Sequence, residues 1–181
     1  MKKIMFNDKY LLTQEVLEGR KTQTRRILLP HTVHELRNGN DYQEVIRLYS
    51  TYKVGEVVAV AQRYKDIALD VPVELAAELI KQPGWTNKMF TKADVLTHHI
   101  RIMEIRIERL QDISEEDCLA EGIWKAHNVG LEGVTYWYHG LANSPYRTAK
   151  EAYAALIDKI CGKGTWKNNP YVFVYDFELS D

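Results

Sequence analysis

Cysteine is scarce in this 181-residue chain, which holds two, Cys118 and Cys161. They lack the close pairing that thiolate metal sites use. Two thiols in segments that read as helix point to a reducing compartment, not a disulfide framework. Long apolar runs are missing too, so neither a membrane span nor a secretory leader is expected, and the chain is expected to be cytoplasmic. An excess of charge is absent: 24 Lys and Arg stand against 25 Asp and Glu, a formal charge of -1. Non-specific contact with nucleic acid needs many cations facing one way, so any such role must rest on a local patch. The histidines supply no metal site either. His98 and His99 are neighbours on a predicted strand and face opposite sides, and His31 and His34 lack a third ligand. No metal or cofactor is expected, and there is no internal repeat or low-complexity segment.

What remains is an ordinary globular composition, 45% hydrophobic and 27% charged, which excludes disorder as the default. The length suits a single domain over residues 1–181, able to bury roughly 70% of its unfolded surface.

A local patch does exist. "EGRKTQTRR", from Glu18 to Arg26, gathers Arg20, Lys21, Arg25 and Arg26 around two threonines. It follows a short helical pattern from Tyr10 to Glu18, with Leu11, Leu12, Val16 and Leu17 on one face and Gly19 placed as a left-handed cap. "KKIMF" before it and "TQTRRILL" after it read as strands, the second ended by Pro30. Residues 31–53 are polar and carry no clear period. "GEVVAVAQRY" has the near-continuous apolar run of a buried strand, and residues 72–81 have a weak helical period.

Between His98 and Arg109, Ile100 and Ile102 share one face while Ile105 and Ile107 have the opposite parity. The phase slip predicts a bulge near Met103 and Glu104, with two separate strands as the alternative. A strand that changes face suits a small curved sheet or barrel. "DISEEDCLAEG" is a helix with both ends marked: Ser114 as N-cap, acids in the first turn, Ile113 and Cys118 as a staple, and Gly122 closing it. Thr148 and Glu151 form a capping box for a helix running to Cys161. "YVFVYDFEL" alternates as a strand, with Tyr171, Phe173, Tyr175, Phe177 and Leu179 on the inward face. The uneven strand spacing argues against a doubly wound sheet and for a small α+β domain.

"LEGRKTQTRR" after the first helix and "RLQDISEEDCLAEGI" after the long strand, with "KVGEVV" between them, together resemble the ASCH family. The resemblance implies a PUA-like curved β pseudo-barrel flanked by short helices, with two insertions here at about 64–95 and 123–147. It also implies a phage or prophage origin and a role in binding RNA or nucleotides. Some small members resemble amidohydrolases that deacylate acetylated cytidine with a lysine, a threonine and a glutamate. Matched motif to motif, these roles fall on Lys21, Thr24 and Glu121.

Read as chemistry, Thr24 would be the nucleophile and Lys21 the base. Lys21 would need its pKa lowered by burial or by the cations Arg20, Arg25 and Arg26. Glu121 sits at a helix C-terminus, where a carboxylate opposes the dipole at a cost of roughly 0.3–1 kcal/mol, so its placement there asks for a reason. Lys21 and Thr24 converge only if Lys21 still belongs to the turn after Gly19, because a strand would send them to opposite faces. Arg20, Arg25, Arg26 and Arg63 are candidate ligand-binding residues, Arg25 and Arg26 as a phosphate grip and Arg63 as a second clamp.

Three functional readings stand: an RNA- or nucleotide-binding cleft, an amidohydrolase acting on an acylated nucleoside, and an accessory protein. The last would bind a host protein through the insertion running from Trp124 to Arg147. "TYWYH" within it, with Trp85 and Trp124, supplies either stacking faces for bases or pins for the insertion.

Overall fold

Alternating apolar residues supply the strands of one sheet, and a register slip in the longest of them decides which side of it is buried. In the computed structural model, which describes residues 1–127, 133–139 and 145–180, five strands pair in the order β1-β3-β4-β7-β2. These are β1 (Lys3–Ile4), β2 (Gln23–Ile27), β3 (Val57–Val60), β4 (His99–Arg109) and β7 (Tyr171–Leu179). Only β1 and β3 run parallel; the other neighbours are antiparallel.

The register of β4 against β7 shifts between Ile102 and Glu104. That extra residue returns Ile105 and Ile107 to the buried side already occupied by Ile100 and Ile102. Among the described residues β1 and β2 are edges and do not meet, so the sheet is open and no closed barrel forms. The architecture is a mixed α+β fold with a separate two-stranded sheet, β5 (Trp124–His127) and β6 (Val134–Trp137).

Helix α1 (Leu12–Leu17) follows a 3-10 turn, Asp8–Tyr10, capped by Asn7, so it starts later than its sequence period indicates. The polar stretch after Pro30 folds into α2 (Pro30–Arg37) and α3 (Tyr42–Tyr49), each eight residues long. Helix α4 (Val73–Leu79) lies between β3 and β4, α5 (Glu115–Ala120) starts at the Ser114 cap, and α6 (Ala149–Cys161) starts at Thr148. The short α7 (Thr165–Asn168) then leads into β7. Ala149, Ala152, Tyr153, Leu156 and Ile157 form the buried stripe of α6.

β7 lies between β4 and β2 and is buried on both faces, Val172 and Val174 as well as Phe173 and Tyr175. Leu179, expected inside, is 38% exposed at the end of the strand.

The stretches between β3 and β4 and between α5 and α6 are both fastened to the rest of the fold. Ile67, Leu79 and Leu96 pack with Ala59 and Tyr64 into a second small core, and Trp85 packs against it. Lys3 Nζ donates to the carbonyls of Met89 (2.8 Å) and Thr91 (2.5 Å), while Lys88 Nζ reaches back to Phe6 O and Asp8 (2.5 Å each). Between α5 and α6, Tyr136 and Tyr138 belong to the main core, and Tyr136 donates to Glu115. Residues 128–132 and 140–144, part of the stretch expected from the sequence to be a second insertion, lie outside the described residues.

Candidate functional site

The turn after α1 aims Lys21 inward. Gly19 adopts φ +71°, and the amides of Arg20 and Lys21 both donate to Glu15 O at 2.9 Å. Lys21 therefore precedes β2, and strand parity does not oppose it to Thr24. Lys21, Thr24 and Glu121 line one cavity of about 340 Å³ between β2 and α6. Its apolar wall includes Phe6, Leu12, Leu156 and Ile157.

Lys21 is 1% exposed and Glu121 5%. Lys21 Nζ donates to Glu121 Oε2 (2.5 Å), Glu121 O (2.8 Å) and Gln23 O (2.7 Å). These three acceptors match the three protons of an ammonium. Burial pulls the Lys21 pKa below the ordinary lysine value; Glu121 opposes that shift, and the charges of Arg26 and Arg25 add to it. The awkward position of Glu121 at the α5 C-cap is explained by this partner, which lies 100 residues away in sequence. Tyr153, on α6, adds a long hydrogen bond to Glu121 Oε1 (3.5 Å), and burial raises its own pKa so that it stays a donor. The Thr24 hydroxyl has no hydrogen-bond partner among the described residues.

β2 divides its two arginines by parity. Gln23 and Arg25 turn toward a carboxylate cluster. Arg25 Nε and Nη2 reach Glu108 Oε1 (3.0 and 2.6 Å), and Nη2 also reaches Asp117 Oδ2 (2.9 Å). Nη1 bonds Gln23 Oε1 and Glu121 Oε1, the latter at 3.4 Å. Five contacts occupy the five N–H donors of a guanidinium, so Arg25 has none left for a phosphate. Arg106, ion-paired to Glu108, Asp117 and Asp176, completes the network.

Burial raises the Asp117 pKa, but the Gln23 hydrogen bond and the charges of Arg25 and Arg106 outweigh it and hold the carboxyl below its usual value. Arg26, on the other parity with Thr24, is exposed, lines the cavity, and donates from Nη2 to Met5 O at 2.6 Å.

Two further candidates lie away from this cavity. Arg20 is clamped by Glu15 (2.7 and 3.0 Å), also pairs with Glu18, and stacks 4.8 Å above Trp124, beside a hollow of about 250 Å³. Arg63 pairs with Asp66 (2.7 and 2.9 Å) beside another hollow of about 450 Å³. Trp85 and Tyr136 serve packing, and because Tyr136 and Tyr138 are buried they offer no face to a partner. Sequence reasoning missed Glu108, Asp117 and Gln23 as the partners of Arg25, since they come from β4, α5 and β2 and share no local pattern. It read Tyr153 only as core. Among the described residues no group of three His, Cys, Asp or Glu could hold a metal ion, and no helix is long and apolar enough to cross a membrane.

The fold and cavity define a small α+β protein with a buried lysine–glutamate pair facing a ligand-sized pocket. No protein-family model and no curated protein matches the chain. Among solved structures it is similar to protein EF3133 from Enterococcus faecalis V583, a DUF984 protein. The TM-score is 0.40 and the identity 14%, over 94% of this chain and 67% of that one. A likeness at that level carries no family or functional assignment.

Proposed function

We propose that this chain is a PUA-like protein of the ASCH type that removes the acyl group from an acylated nucleoside base, acetylcytidine being the model substrate. The observation that carries this reading is the buried Lys21–Glu121 contact on the same cavity as the unpartnered hydroxyl of Thr24. A cavity of about 340 Å³ suits a ligand of nucleoside size, near the lower end of ordinary ligand pockets. RNA binding through a basic floor is less well supported, because Lys21 and Arg25 are neutralised by carboxylates.

In the proposed reaction Lys21, once neutral, takes the Thr24 proton as the hydroxyl oxygen attacks the amide carbon. The C–N bond then breaks, the proton passes to the departing base amine, and water releases the acyl group from Thr24. Lys21 becomes neutral by giving one proton to Glu121, and rotation about its Cε–Nζ bond then turns the freed lone pair from Glu121 toward Thr24. Because burial lowers the lysine pKa, kcat/KM should rise with pH through an ionisation below 10.5.

Turnover of acetylcytidine by the wild type, reduced about 10²-fold or more in Lys21→Ala and in Thr24→Val, is the expected result. No turnover across a panel of acylated nucleosides would overturn the reading and leave nucleotide recognition in its place.

A further inference from the structure

We propose that the cavity selects a ligand bearing one terminal phosphate, a nucleoside monophosphate, whose phosphate docks on Arg26 and Asn7. The nucleoside part rests on the function proposed above; the phosphate part rests on how the charges are paired. Lys21 and Arg25 have all their N–H donors engaged by protein acceptors, as described. Arg26 also lines the cavity, has no carboxylate partner among the described residues, and spends one contact on a backbone carbonyl. It is the cation left to meet an anion.

Asn7 supplies a second donor. Its Oδ1 accepts from the Lys9 amide at 3.0 Å, which fixes the orientation of the side-chain amide. Its Nδ2 has no partner among the described residues, and Asn7 lines the same cavity. Exposed Met5 and Ile27 beside Arg26 mark this end as the mouth.

Strand geometry sets the spacing. Thr24 and Arg26 lie two residues apart on one face of β2, so their Cα atoms are separated by roughly 6.6 Å. The arginine side chain extends that reach outward, which allows a base amide at Thr24 and a 5′-phosphate at Arg26 within one small molecule. A guanidinium fork with a neighbouring amide donor suits the dianionic terminal phosphate better than a singly charged diester.

The experiment is calorimetric titration of the whole chain with cytidine, cytidine 5′-monophosphate and an oligocytidylate lacking terminal phosphates. None of these ligands requires turnover. The monophosphate should bind more tightly than the nucleoside. Arg26→Ala should weaken it about 10- to 100-fold while leaving cytidine unchanged. Asn7→Asp keeps the capping acceptor but replaces the donor with a charge, and should act in the same direction. Equal affinity for nucleoside and monophosphate, equal losses for both in Arg26→Ala, or no binding of either would overturn the inference. Binding of the oligonucleotide as tight as that of the monophosphate would overturn it too, and would assign the site to an RNA backbone. A phosphate preference without deacylation would leave this inference standing and remove only the hydrolytic one.

Discussion

Removing the amine of Lys21 strands Glu121 in the interior with weaker partners, Arg25 at 3.4 Å and Tyr153 at 3.5 Å. Breaking a buried pair from one side costs about 3–5 kcal/mol, whereas replacing both members with apolar residues is often close to neutral. Lys21→Met should therefore lower stability by about 3 kcal/mol in urea unfolding, and Lys21→Met with Glu121→Met should recover half of that or more. If the two losses simply added, the pair would not be coupled. Asp117 gives a pH test. Its folded pKa lies below the unfolded value of 3.8, so its contribution is present above that value and disappears as pH falls through the folded one. Melting temperature should drop below about pH 4, and Asp117→Asn should flatten that limb. The motif placed Lys21, Thr24 and Glu121 together only through a family pattern. Nothing local foretold that Arg25 would be fully engaged, because its carboxylate partners Glu108, Asp117 and Glu121 lie far along the chain, outside β2.

Gly122 follows the C-cap of helix α5 with a φ of +98° that suits glycine, and an added Cβ would come within 3.3 Å of Leu12 Cδ2. Gly122→Ala should lower the melting temperature by about 3–6 °C, from a cost of roughly 1–2 kcal/mol, and should displace Glu121, its neighbour. An unchanged melting temperature would mean that the turn can relax. Elements with strong marks were legible: the Ser114 and Thr148 caps and the parity slip in β4 all appear in the fold. Helices α2 and α3 were not, because Asn38, Gly39 and Asn40 split the stretch into two pieces of eight residues. Each spans little more than two turns, too few for a 3.6-residue period to emerge from a polar background. The small core between β3 and β4 was hidden for a similar reason, since it is assembled from 3-10 turns and one short helix.

At the scale of the whole molecule, a balanced surface and engaged cavity cations predict weak dependence on salt. The logarithm of the monophosphate affinity should fall with the logarithm of salt concentration only at a shallow slope, because a small ion carries no condensed counterions to release and meets a single cation. A slope of several units would mean a polyanion footprint elsewhere on the surface. The sheet's order carries another consequence. Among the described residues β2, which bears Thr24, Arg25 and Arg26, pairs only with β7, nearly 150 residues later, by the register Gln23↔Asp176 to Ile27↔Val172. While a ribosome is still making the chain, that segment has no strand to pair with. The pocket is thus among the last features to form, and until residues 171–179 emerge the nascent protein carries a bare strand for chaperones to shield.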